Sequence, residues 1–218
     1  MNKAWSELNK TMQAQIKKKD TCEAGIDTLF ELRNQLMETL TSFNEELSRE
    51  EFDTIPFINA DGYHSKTIAY SIWHIFRIED IVAHTLIGED EQVFFAGNYQ
   101  ERINSPIITT GNELVKEQIA DFSKQLNLKE LYAYIFEVKD STEKIIDSLS
   151  YDDLKKKISE ERKEYLKSLN VVSNDENAIW LIDYWCGKDI RGLIQMPFSR
   201  HWIMHIEASQ RIKNRIHS

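Results

Sequence analysis

The segment from residue 66 to residue 87 carries apolar side chains around nearly its whole circumference when it is drawn as a helix. These apolar residues are Ile68, Ile72, Trp73, Ile75, Phe76, Ile78, Ile81, Val82, Ala83, Leu86 and Ile87. A helix without a polar face has to be surrounded by other elements. Its polar interruptions, among them His74 and Asp80, leave it short of the roughly 20 apolar residues of a membrane span. The pattern therefore predicts a buried helix in a soluble protein, ended by Gly88.

Three further segments, 26–47, 128–149 and 198–216, repeat apolar residues at intervals of three and four, as helices that bury one face do. The chain has only 7 glycines and 3 prolines in 218 residues, whereas the two together make up roughly 12% of an average globular chain. This scarcity argues against turn-rich β-sandwiches and barrels. We predict an all-α fold, a four-helix bundle with an N-terminal helix and long inter-helix inserts at 89–126 and 150–195.

The same patterns predict two units along the chain. Residues 1–25 are predicted as an N-terminal helical appendage, because an amphipathic helix over 2–19 is ended by the polar run KKKDTCEAG at 17–25. Residues 26–218 are predicted to form the helical bundle. Within the second insert, residues 151–169 are rich in charge, which predicts a helix or loop that faces solvent.

Charge and cysteine content argue against several classes of function. The 36 acidic and 27 basic side chains give a formal charge of −9, and the basic residues are scattered, so we expect no nucleic-acid partner. Cys22 and Cys186 are too few for a disulfide framework and have no metal-binding or redox spacing. Because the N-terminus lacks the apolar stretch of a signal peptide, we expect a cytoplasmic protein with no membrane partner.

Polar residues on buried helix faces are the candidates for a site. His201 and His205 lie within the apolar stripe of the last helix, and a spacing of four residues brings two imidazoles close enough to share one ion. His74 lies in the middle of the apolar second helix, where an unpaired imidazole is unfavourable. His84 is turned about 80° away from His74. The coherent set is His74, His201 and His205, and the alternative is three core histidines bonded to polar neighbours.

Two segments resemble a known family. The stretch SIWHIFRIEDIVAHTLI (71–87) and the stretch RHWIMHIEASQRI (200–212) are similar to the DinB-like (DNA-damage-inducible) metal-binding bundles, which include YfiT-type proteins and bacillithiol transferases. The resemblance implies a four-helix bundle in which His74, His201 and His205 bind a divalent metal in a pocket open at one end. It also implies a homodimer and a small-molecule or thiol substrate.

The chain departs from that family's pattern after the last histidine. Many members have an H-x-G-Q-type turn where this chain has IEASQRI. A shifted alignment places Ser209 at the second ligand position and leaves only His74 and His205, as in a descendant that has lost its metal.

Three neutral imidazoles with an open position are typical of a catalytic zinc site. The open position can take water for hydrolysis or a thiol for transfer, so we predict a metal-dependent hydrolase or thiol (bacillithiol-type) S-transferase. Zinc and nickel are the metals we expect most at such a three-histidine site. Iron and manganese also accept imidazole ligands, whereas magnesium and calcium prefer oxygen ligands. The alternative is a non-catalytic helical binding or dimerisation module that kept the bundle without its metal chemistry.

Several other residues are weaker candidates. Glu79 and Asp80 either orient a ligand histidine or lie at the water-facing edge of their helix. The aromatic segment 183–185 either lines the pocket mouth or packs on the core. Arg200 either attracts an anionic substrate or forms a surface ion pair, and Cys186 is interpreted as a small core residue.

Overall fold

The structure, a computed structural model, describes residues 2–218 and is all-α over that range, apart from one isolated β-bridge between Lys157 and Asp189. Its α-helices, in chain order, are α1 (Lys3–Gln15), α2 (Cys22–Glu46), α3 (Arg49–Phe52), α4 (Ile68–Asp80), α5 (Val93–Ala96), α6 (Tyr99–Ile103), α7 (Glu117–Gln125), α8 (Leu128–Asp147), α9 (Glu160–Ser168), α10 (Trp180–Cys186), α11 (Ile190–Gln195) and α12 (His201–Ile216). Two π-helical segments, Ile81–Gly88 and Met196–Arg200, continue α4 and precede α12, and short 3₁₀ turns lie at Lys19–Thr21, Gly62–His64 and Asp153–Lys155. The predicted all-α class is confirmed.

Four long helices, α2, α4, α8 and α12, enclose the core. Helix α4 packs on α8 and α12, and α2 packs on the same two helices. Every residue of α4 is buried, Ile68 through Asp80, as a helix with no polar face requires. The four long helices predicted from periodicity are confirmed, with bounds that differ by a few residues.

The second predicted helix ends with Gly88, which is followed by a left-handed residue, Glu89, at φ 58°. Gly88 meets a steric requirement instead, because a Cβ there would lie 2.9 Å from the Asp90 carboxylate and 3.0 Å from Ile145. The helix therefore ends at Gly88 as predicted, but the left-handed conformation that closes it belongs to Glu89.

The N-terminal helix packs closely on the rest of the protein. Helix α1 lies along α2, Trp5 belongs to the main apolar core, and the backbone N–H of Asn2 donates to Glu207 on α12. Gly25 allows the close approach, since a Cβ there would lie 2.6 Å from the Ile16 side chain. The division of the chain at residue 25 stays a prediction.

The two inserts pack into two different apolar clusters. Helices α5–α7 bury Phe94, Ile103 and Phe122 in the apolar cluster that contains Trp73. Helices α9–α11 bury Leu181, Trp185 and other residues in a second cluster that contains Ile78. On the charge-rich α9 only Leu166 is buried, which confirms its solvent-facing character. None of the helices described over residues 2–218 has the length and apolar content to cross a bilayer.

Candidate metal centre

Two helices with defined starting points position the three histidines. Helix α4 begins after Thr67, whose hydroxyl accepts the backbone N–H of Tyr70 at 2.9 Å, and His74 lies two turns inside it. Helix α12 begins at His201, directly after the π-helical segment that contains Pro197. Proline has no N–H to donate to the preceding turn, and such wide turns are frequent at functional sites. The packing of α12 on α4 brings His201 and His205 to His74.

The three imidazoles form a compact buried cluster. Each offers one ligand nitrogen, and these nitrogens all lie within 4.8 Å of one another. The ring centroids are 5.1 Å apart for His74 and His201, 4.8 Å for His74 and His205, and 4.6 Å for His201 and His205. Their exposures are 4%, 7% and 3%. The structure thus brings together the three residues that the sequence singled out. The third member of the cluster is His201, and Ser209 is not part of it.

Hydrogen bonds orient one of the rings and leave two others free. The Nδ1 of His74 is 2.7 Å from the carbonyl oxygen of Thr110, and because a carbonyl can only accept, this nitrogen carries the proton. The Nε2 of the same ring then keeps a lone pair for a ligand role. The Nδ1 atoms of His201 and His205 are buried without a hydrogen-bond partner among residues 2–218.

Burial keeps the cluster neutral. It lowers the pKa of His74 to about 4, an effect that the Thr110 carbonyl opposes and the charge of Lys66 reinforces. Burial also lowers the pKa of His201 and of His205 well below the usual value, and the neighbouring histidines add to the shift. Neutral imidazole is the form that binds metal ions. Three convergent neutral imidazoles with free nitrogens therefore fit a divalent transition metal.

A cavity of about 240 Å³ opens beside the cluster. All three histidines line it, together with Tyr63, Ile78, Asn112, Trp180, Leu181, Tyr184, Trp185, Met196 and Pro197. The edge of the Tyr63 ring meets His205 at a centroid distance of 4.7 Å. The ring of Tyr70 stacks on the ring of His74, with their centroids 5.4 Å apart. The lining set contains no carboxylate and no lysine or arginine.

Neither role considered for Glu79 and Asp80 is correct. Both are fully buried, and neither bonds a ligand histidine. Glu79 accepts two hydrogen bonds from Arg33, at 2.7 and 2.9 Å, and one from the indole of Trp202 at 2.8 Å. Asp80 accepts the backbone N–H groups of Val93 and Phe94 at 2.8 and 2.9 Å. These carboxylates join helices and an insert, so their role is in the fold.

His84 lies apart from the cluster, as its helical phase predicted. Its Nδ1 is 2.7 Å from the Asp90 carboxylate and its Nε2 is 3.0 Å from the Ser141 hydroxyl. The order of groups is that of a serine-hydrolase triad, but Ser141 lies inside α8, where helical hydrogen bonds occupy the backbone N–H groups that an oxyanion hole needs. Both ring nitrogens are thus engaged in joining segments of the fold.

The remaining candidates are resolved by position. Arg200 is exposed, does not line the cavity and has no ion-pair partner among residues 2–218. Tyr184 and Trp185 line the cavity, whereas Asp183 pairs with Lys163 at 3.0 Å. Burial raises the pKa of the Cys186 thiol to about 11, which leaves it protonated and unreactive at neutral pH.

Sequence reasoning missed Thr110, Asn112, Tyr63, Trp180 and Met196. Thr110 orients the His74 ring through its backbone carbonyl. Every residue has such a carbonyl, so this contact has no signature in the sequence. The paired aromatics around residue 180 were a usable signal, since an insert with several aromatic side chains has to bury them against something.

Comparison with known proteins adds no assignment: no family model and no curated protein matches this chain.

Proposed function

We propose that this protein is a divalent-metal-dependent enzyme of the DinB-like type, either a hydrolase or a thiol transferase. The observation that carries the proposal is the convergence of three neutral, buried imidazoles within 4.8 Å of one another. The pairing of α4 with both α8 and α12, and of α2 with the same two helices, supports a four-helix bundle as its scaffold. His74, His201 and His205 are its metal ligands, and zinc or nickel is the first choice of ion.

The residues of the chain have separable tasks in this proposal. Thr110 holds the proton of His74 on Nδ1, at 2.7 Å, so that the other nitrogen of that ring faces the cluster as a base. The aromatic wall of Trp185, Trp180 and Tyr184 limits the access of water to the histidines. A divalent ion bound there supplies a Lewis acid that lowers the pKa of a water or thiol at the open position.

Metal analysis of tag-free protein tests the binding step. We expect close to one first-row metal ion per chain in the wild type and a large loss in His201→Ala and in His205→Ala. The matched control is His84→Ala, which removes a buried histidine outside the cluster. A wild type that binds no zinc, nickel, iron or manganese contradicts the proposal. That result favours the alternative, a non-catalytic helical binding or dimerisation module. The melting temperature of such a module does not change when a chelator is added.

Two assays separate the reaction types. A hydrolase cleaves a chromogenic aryl ester with water alone. A thiol transferase instead joins a low-molecular-weight thiol to an alkyl halide, with release of halide and a proton. In either case His201→Ala has to abolish the rate above background. The same proposal includes a homodimer, which light scattering on the purified protein tests.

A further inference from the structure

The cavity beside the three histidines has a size that restricts its ligand. Its volume is about 240 Å³, and an apolar cavity of roughly 150 Å³ is known to hold benzene. The remaining space accommodates a short substituent on one ring. A longer molecule would have to extend out of the cavity.

The walls of the cavity favour a flat apolar body. Trp180 and Tyr184 meet edge to face at 5.6 Å, and both line the cavity with Trp185 and Tyr63. Trp180 is 48% exposed and Tyr63 is 37% exposed, so both present aromatic surface that a ligand in the cavity can cover. Aromatic rings pack well in offset or edge-to-face contact with such walls.

The charges near the cavity argue against a cationic ligand. No carboxylate lines it. Outside the lining residues, the ammonium group of Lys188 lies 4.2 Å from the Tyr184 ring. The ammonium group of Lys66 lies 5.2 Å from the ring of Tyr70, which stacks on His74 and is also influenced by the negative charge of Glu113. A positively charged ligand would be repelled by these groups, whereas a neutral or anionic one would not.

One residue of the cavity lining, Asn112, has an amide NH₂ group without an acceptor among residues 2–218. The Oδ1 of Asn112 accepts the hydroxyl of Thr110 at 2.8 Å, and the carbonyl of the same Thr110 accepts from His74. This bond fixes the Asn112 amide, whose NH₂ group has no acceptor among residues 2–218. Asn112 and the three histidines line the same cavity, so the NH₂ group is available to donate to an oxygen of a ligand bound there.

We infer that the cavity binds a small aromatic carbonyl compound, neutral or anionic, such as an aryl amide, ester or acid. The ring packs against the surface that Trp180 and Tyr184 present to the cavity, and the carbonyl oxygen accepts from Asn112 beside the three histidines. The inference rests on the proposed function, because it names the substrate class of that same site, and it makes Asn112 a positioning residue for the reacting group.

Calorimetric titration of the chelator-treated protein tests this without a metal. Benzamide is the probe, acetamide lacks the ring, and benzylamine keeps the ring but is cationic and has no carbonyl. We expect benzamide to bind at least about tenfold more tightly than either. Trp180→Ala should weaken benzamide binding at least about fivefold, whereas Phe136→Ala, which removes an exposed aromatic on α8, should not.

Asn112→Ala tests the polar contact. It should weaken benzamide binding and leave the binding of toluene, which has the ring but no carbonyl, unchanged. If toluene binding is lost as well, the cavity of Asn112→Ala has collapsed. Asn112→Asp, which keeps the shape of the side chain and removes the NH₂ donor, then tests whether that donor contributes to benzamide binding. Benzamide that binds the wild type no better than acetamide overturns the inference.

The inference and the proposed function fail in different ways. A protein that holds metal but does not prefer benzamide disproves the ligand class and keeps the metal enzyme. A protein that prefers benzamide but holds no metal keeps the ligand class, as a bound guest rather than a substrate, and disproves the enzyme.

Discussion

Helix α4 and its π-helical continuation bury polar side chains in two regions whose hydrogen-bonding capacity is used differently. Toward the C-terminal end, Glu79, Asp80 and His84 each have partners from other segments. In the first half, His74 meets His201 and His205, and the Nδ1 atoms of these two have no partner among residues 2–218. Burial of a polar group is therefore weak evidence for a site, whereas the convergence of three buried imidazole nitrogens within 4.8 Å is stronger evidence.

The largest expected effect is in the partnered region. Glu79→Ala removes the bidentate partner of the fully buried Arg33 guanidinium, which keeps only Glu143 as a carboxylate partner. Breaking a buried pair destabilises a protein by about 3–5 kcal/mol, and the remaining partner places the expected loss at about 3 kcal/mol. Urea unfolding of chelator-treated protein measures the change. Glu7→Ala, which breaks an exposed pair with Lys10, is the control and should have little effect. A small loss for Glu79→Ala would contradict the structural role given to this carboxylate.

The second-largest effect is on metal affinity, which should distinguish the clustered histidines from His84. Removal of a residue that merely orients a ligand weakens metal binding roughly 10–100-fold, so loss of a ligand in His201→Ala should weaken zinc binding by at least about 100-fold. His84→Ala should leave zinc affinity unchanged. Competition with a chromophoric chelator measures both. Equal losses in the two variants would remove the distinction between the regions.

The pH dependence of stability is the third effect. The folded pKa of His74 lies at about 4, below its ordinary value of 6.5, so between these values the unfolded chain binds a proton that the folded one does not. The metal-free protein should therefore lose stability as the pH falls through this window. The loss should be on the order of 2 kcal/mol greater than in His74→Phe. Parallel stability curves for the two proteins would show that His74 is not buried in its neutral form.

The smallest effect has the opposite sign. His205→Leu replaces an unpartnered buried nitrogen with carbon, which should stabilise the metal-free protein by about 1 kcal/mol. With zinc in excess the order should reverse, because an ion that binds only the folded wild type stabilises it by mass action. Thermal melts with chelator and with zinc test both halves. Destabilisation in chelator would mean that His205 is a partnered core residue.

Much of the site could be predicted because helical phase is local. The four-residue spacing of His201 and His205 and the apolar surroundings of His74 depend only on neighbouring residues in the chain. The partners of Glu79 could not be predicted in this way, because Arg33 and Trp202 lie 46 and 123 residues away. The reason for a glycine at position 88 could not be predicted either, since it lies in the close approach of Ile145, 57 residues away.

The sequence by itself determined the all-α class, the long helices and the three histidines, because periodicity and a low content of glycine and proline act within single segments. Only the tertiary structure decided that these histidines meet, that Thr110 orients one of them and that α10 places aromatics beside them. Those outcomes depend on which helix faces pack together, and packing is decided by the shapes and buried areas of all the elements at once.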